Sequence, residues 1–186
     1  SLALFAWRAP LLKQGGLFAP VSREGALVVN NLFLATACAT VLIGTLYPLA
    51  LEVVTGEKIS VGAPFFNFTF LPLIIPLLLL LPFGQTLAWK RGNFLGTAQR
   101  LYAVFGLSIL ATVAMFAFEY GGPVAAPLGI GLGVYLVLGS FNEVVTRSWS
   151  KGTPLSVAWR KAANLPRSTW GTVLAHAGVG LTVIGI

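Results

Sequence analysis

The chain has 186 residues, of which 56% are hydrophobic and only 9% charged, against roughly 25% charged in water-soluble domains. So few charges cannot cover a soluble fold of this size, which excludes an ordinary water-soluble enzyme domain. The net charge of +7 does not point to nucleic acid, because the basic residues sit in short gaps between long apolar runs, as in membrane proteins.

Taken in order, the apolar runs read as membrane spans, each needing about 20 residues of helix. Residues 1–7 look like the tail of one span, closed by Arg8 and Pro10. Full spans are predicted at about 25–54, 65–89, 101–118 and 124–145, and another starts near Trp170 and covers 170–186. The chain opens on Ser1 and stops at Ile186 inside an apolar run. It is therefore read as a single membrane-embedded region, 1–186, of a longer polytopic protein. In hydrocarbon every backbone N–H and C=O must be paired, so spans are helices or closed barrels. Barrel strands alternate in polarity and cross in about 10 residues, unlike these continuous runs. The expected fold is an all-α polytopic membrane helix bundle of about five transmembrane helices plus a truncated one.

The gaps differ in charge. Arg8, Lys13 and Arg23 fall in the first; Lys90, Arg91 and Arg100 in the third; Arg147, Lys151, Arg160, Lys161 and Arg167 in the last. These alternate gaps hold eleven of the twelve basic residues, so the positive-inside rule makes them cytoplasmic. The gaps with Glu57 and Glu119 then face the opposite side, the periplasm in a Gram-negative bacterium.

Few residues can carry chemistry. His176 is the single histidine, in Trp170-Gly-Thr-Val-Leu-Ala-His-Ala-Gly-Val-Gly180, six residues into the last predicted span. An ionisable group inside a span marks a functional site by default. Thr172, Ala175, Gly178 and Gly180 are small and leave room for a bulky flat group. Two readings stand side by side: a ligand or proton relay, and a neutral imidazole hydrogen-bonded to another helix. Asn30 and Asn31 are read first as amides bonding across helices, and alternatively as contacts to polar groups of a cofactor. Ser22 reads as a helix cap, and Glu143 with Arg147 as a helix-surface ion pair at i, i+4. Gly129 and Gly133 have the GxxxG spacing of a packing face. Pro72, Pro76 and Pro82 imply kinks or a broken helix, which keeps a permease or exporter reading open. Cys38 reads as a small apolar filler; a single cysteine excludes an internal disulfide.

Several blocks together resemble a known family. Ser22-Arg23-Glu24-Gly25-Ala26-Leu27-Val28-Val29-Asn30-Asn31 is similar to the opening of the C-terminal membrane region of CcmF, the haem lyase subunit of the bacterial cytochrome c maturation system. The similarity continues through Gly44-Thr45-Leu46-Tyr47-Pro48 and Ile59-Ser60-Val61-Gly62-Ala63-Pro64-Phe65-Phe66-Asn67. It ends in the Trp170–Gly178 block and Ile184-Gly185-Ile186. The resemblance implies covalent attachment of haem to apocytochrome c at the bacterial inner membrane. It implies a haem chaperone, apocytochrome c with its thiol-presenting partner subunit, and quinol as partners, besides the lipid bilayer. It also implies a membrane b-type haem (haem b), with His176 as one axial ligand of its iron. The family's second membrane ligand and its tryptophan-rich haem-handling loop have no counterpart here, since all five tryptophans are isolated. On that reading the segment is not expected to be active alone.

Overall fold

A computed structural model describes residues 2–11, 16–118, 121–150 and 152–186 of the chain, with side chains from Ala3 onward. Ser1, Lys13, Glu119 and Lys151, on which some of the expectations above fall, lie outside the described residues. The described residues form helices and no strands: α1 (Leu2–Arg8) with a 3-10 turn behind it, α2 (Arg23–Thr55), α3 (Ala63–Thr69), α4 (Leu71–Thr86), α5 (Phe94–Phe118), α6 (Ala125–Ser148), α7 (Leu155–Ala163) and α8 (Arg167–Gly185). This is an all-α membrane helix bundle. By length and composition α2, α5 and α6 can each cross a bilayer, and α3 with α4 makes a fourth crossing if the bent pair is one span. The predicted last span is α8, 19 residues long and made less apolar by Thr169, Thr172 and His176.

Local chemistry sets the boundaries. The Ser22 hydroxyl accepts a hydrogen bond from the Gly25 N–H at 3.0 Å and caps α2. At the other end Gly56 takes φ +74°, a left-handed conformation that glycine adopts without a Cβ clash, and its N–H bonds the Glu52 carbonyl. The predicted span 65–89 is divided: α3 and α4 meet at Phe70 with a bend of 46°. Pro72 lies at the start of α4; it has no N–H to donate, and its ring crowds the carbonyl of Phe68 one turn back. Helix α5 starts seven residues before the predicted 101, because the Asn93 side chain accepts the Gly96 N–H at 3.0 Å and Arg100 is exposed on the helix surface. The short helix α7 was not foreseen in the basic gap.

Helix α6 is the centre of the bundle, packed between α5, α4 and α8. Its buried residues include Gly131, Gly133, Tyr135, Leu136, Gly139 and Ser140, on the sides that meet α5, α8 and α4. The small residues let neighbouring backbones approach closely. A Cβ at Gly131 would collide with Thr112 of α5, and one at Gly139 would stand 2.7 Å from the Pro82 ring of α4. Gly133 meets Gly180 and Ile184 of α8. Gly129 has nothing within 4 Å, so the predicted Gly129–Gly133 pair is corrected: the packing glycines are Gly131, Gly133 and Gly139. Gly129 lies on the same side of α6 as Gly133, one turn earlier, whereas Gly131 lies on the other side, against α5. Leu101 and Val104 of α5 close the core against Tyr135 and Leu136. The Tyr135 ring stacks on Phe105 at 5.1 Å, and its hydroxyl donates to the Leu79 carbonyl at 2.8 Å.

Two of these contacts fix direction. Tyr135 meets Leu79 and Gly139 meets Pro82, so α4 and α6 run parallel. Their C-terminal ends, followed by Lys90 and Arg91 on one side and carrying Arg147 on the other, therefore lie at the same end of the bundle. The segment before α2 is tied there too: Ala19 N–H bonds the Lys90 carbonyl at 2.8 Å, and Gly92 N–H bonds the Val21 carbonyl at 2.7 Å. All three basic gaps thus share one end.

Candidate functional site: the His176 cavity

Helix α8 packs on α6 through a stripe of Thr169, Val173, Ala177 and Gly180, spaced at one turn. His176 flanks this stripe and is half-buried. Its ring reaches α4, where the Gln85 side chain hydrogen-bonds Nδ1 through Nε2. Gln85 is buried, and its carboxamide oxygen Oε1 has no hydrogen-bond partner. Nε2 of His176 has none either among the described residues.

A second buried polar group lies at the same level. Glu143 of α6 is 4% exposed. Its Oε1 accepts a hydrogen bond from the Arg147 guanidinium at 2.7 Å, while Oε2 has no partner. The ion pair read from the spacing is present. It is not a surface pair on the Glu143 side: Arg147 reaches in from the exposed end to a carboxylate held between helices. The Pro82–Gly139 contact, carried one turn further along two parallel helices, sets Gln85 and Thr86 beside Asn142 and Glu143. Glu143 is within coulombic range of His176.

Gln85 and His176 adjoin a cavity of about 410 Å³ between α2, α4 and α8, lined also by Arg23, Asn30, Leu77 and Thr172 among others. The lining is mainly apolar, with a few polar groups converging, the usual make-up of a small-molecule or cofactor site. A clasp between the start of α2 and the loop after α4 closes one end. The Glu24 carboxylate accepts the Lys90 N–H at 2.7 Å, and Arg23 N–H bonds the Ala88 carbonyl at 3.0 Å. The Arg23 guanidinium lies 5.2 Å from the centre of the Trp89 ring, a cation–π contact.

The chain is similar to known proteins along its whole length. The cytochrome c-type biogenesis protein CycK of Rhizobium meliloti is 60% identical over all 186 residues, and CycK of Bradyrhizobium diazoefficiens is 55% identical. The cytochrome c-type biogenesis protein CcmF of Pseudomonas aeruginosa is 38% identical over the whole chain. From its first residue to its last, the chain is CcmF-like. The resemblance seen in its sequence blocks is borne out. The chain spans about 28% of the length of these relatives. No family model and no solved structure matches it.

In this CcmF-like chain the residues singled out from the sequence fare differently. Asn30 lines the cavity, and its amide bonds only the neighbouring Asn31, at 3.4 Å, among the described residues. Of the small residues around His176, Thr172 lines the cavity and Gly178 has open space beside it. Gly180 is taken up by packing on α6 and leaves no room for a ligand. Cys38 is exposed on α2, beside a separate apolar groove. Gln85 was missed, although a lone carboxamide in a run of leucines and prolines was a visible signal.

Proposed function

We propose that the chain is part of a haem lyase that attaches haem covalently to apocytochrome c, and that His176 supplies one axial ligand of a membrane b-type haem. The observation that carries this reading is the placement of the single histidine of a CcmF-like chain. It lines an apolar cavity, one ring nitrogen is held by Gln85, and the other has no partner among the described residues. A neutral imidazole with one free nitrogen is the donor that haem iron takes in an apolar setting. The residues present therefore fit the group, and the chain's one histidine supplies one ligand. When bound, the haem supplies one-electron chemistry, taking electrons from quinol for reduction of the incoming haem.

This chain's residues do the holding. Helix packing at Gly133 and Gly180 fixes the height and rotation of α8, and with them the His176 ring. Leu77, Leu80, Leu81 and Phe83 line the cavity with the imidazole and make its surroundings apolar. The clasp of Arg23 and Glu24 on the loop after α4 keeps α2 against the cavity. The role in c-type cytochrome maturation, the bacterial inner membrane, and the haem chaperone, apocytochrome c and its thiol-presenting subunit as partners belong to the same reading. A permease reading has less support: the helix break at Phe70 does not line the His176 cavity, whereas transporters put such breaks at the binding site.

The test is the optical spectrum of the intact protein. A reduced b-type Soret and alpha band in the wild type, lost or converted to a five-coordinate form in His176→Ala, is the expected result. An unchanged haem spectrum in His176→Ala would overturn the ligand assignment.

A further inference from the structure

Iron binding through Nε2 makes a specific demand on the other side of the ring. The proton of a neutral imidazole must then sit on Nδ1, and Nδ1–H needs an acceptor. In the structure Nδ1 meets the donor end of Gln85, its Nε2, while the acceptor end, Oε1, is buried without a partner. A half-turn of the carboxamide about its last bond exchanges the two ends and moves nothing else. Oε1 then accepts from Nδ1–H, and the orphaned acceptor is satisfied. The turn also frees two amide protons. Glu143 Oε2 is an orphaned buried acceptor on α6, beside Gln85 by the helix register described above.

We propose that Gln85 is the positioning residue of His176, its carboxamide oxygen accepting the Nδ1–H of the iron-bound ring, with Glu143 backing the amide from α6. The inference rests on the haem-ligand reading of His176. Gln85 fixes the tautomer and orientation of the ring and raises its basicity as a ligand. It touches neither iron nor substrate. Its place in the fold suits this role, because α4 is anchored on α6 by Pro82 one turn before and the amide is presented from a rigid element.

The experiment uses the intact protein and reads haem affinity and the reduction potential of the b-type haem in Gln85→Leu, Gln85→Glu and His176→Ala. Gln85→Leu removes the acceptor. It is expected to weaken haem retention by about 10- to 100-fold, the usual cost of losing such a partner, and to move the potential to more positive values. Gln85→Glu, made together with Glu143→Gln so that two buried carboxylates do not meet, supplies a stronger acceptor, and is expected to retain haem and move the potential to more negative values. A side chain that merely filled space would lower protein yield and leave the potential of the surviving protein unchanged. If Gln85→Leu does not accumulate, Gln85→Glu decides alone: an unchanged or more positive potential overturns the proposal. Loss of haem in His176→Ala together with wild-type affinity and potential in both Gln85 variants would sink this inference and leave the ligand reading standing. Haem kept unchanged in His176→Ala would sink both.

Discussion

Gly133 and Gly180 face each other across the α6–α8 interface, and a Cβ added to either would stand 2.8 Å from the other's carbonyl oxygen. Each helix thus presents bare backbone to the other. Gly180→Val is expected to destabilise the protein by about 1–3 kcal/mol, the usual range for overpacking a tight interface. Gly178→Ala and Gly129→Ala meet open space and should leave stability within about 0.5 kcal/mol of wild type. Thermal unfolding in detergent compares the three; equal tolerance would remove the packing role of Gly180.

The Glu143–Arg147 pair makes a different prediction. Arg147→Ala leaves the Glu143 carboxylate buried without its partner, at a cost on the order of 1–3 kcal/mol after allowing for the exposed guanidinium. Adding Glu143→Gln removes the stranded charge, so the double variant should recover part of the loss. A double-mutant cycle on detergent unfolding curves measures this. A double variant no more stable than Arg147→Ala argues against a stranded charge.

The ligand role of His176 predicts chemical rescue. His176→Gly opens space where the ring stands in the cavity, near Thr172 and Gln85. Added imidazole should restore part of the b-type spectrum in that variant. No recovery at any imidazole concentration, with the protein folded and haem offered, would count against ligation at this position.

The common end of the three basic gaps predicts sidedness. In a chain with Cys38 replaced, since it is exposed on α2, a cysteine at Ser150 should react only from the cytoplasm and one at Ser60 only from the opposite side. Labelling of both from one side would break the assignment.

Much of this was legible in the residues because two signals are strong: apolar runs long enough to cross hydrocarbon, and gaps of alternating charge. Helix α2 occupies Arg23–Thr55 where the pattern ran 25–54, and Ser22 caps it. The three prolines announced a broken helix, but not that Phe70 is the break or that Pro82 is a packing surface for Gly139. Those depend on which neighbour stands opposite, which a single chain of letters does not state. Spacing alone favoured Gly129 over Gly131, since GxxxG says that a face exists and not which glycine meets a neighbouring helix. The amphipathic α7 escaped because a nine-residue helix between prolines has too few turns for its periodicity to stand out. For the site, His176 was visible as the chain's single histidine, inside a predicted span. The pairing of Gln85 with His176 and the burial of Glu143 were not, because both come from the meeting of α4, α6 and α8.

Helix α2 has a mechanical consequence of its own. Its 33 residues make a rod of about 50 Å, against a hydrocarbon core of about 30 Å. Standing upright from Arg23, it would lift several apolar turns, including Leu46, Tyr47 and Leu49, into water. Leaning by about 40°, the upper end of the usual range, it reaches about 38 Å, with Tyr47 near the far headgroups and the paired Glu52 and Lys58 just beyond. The bilayer therefore favours a slanted α2. Since α2 packs only on α3 and α4 among the described helices, that slant must be carried by the elbow at Phe70 and the clasp at Lys90.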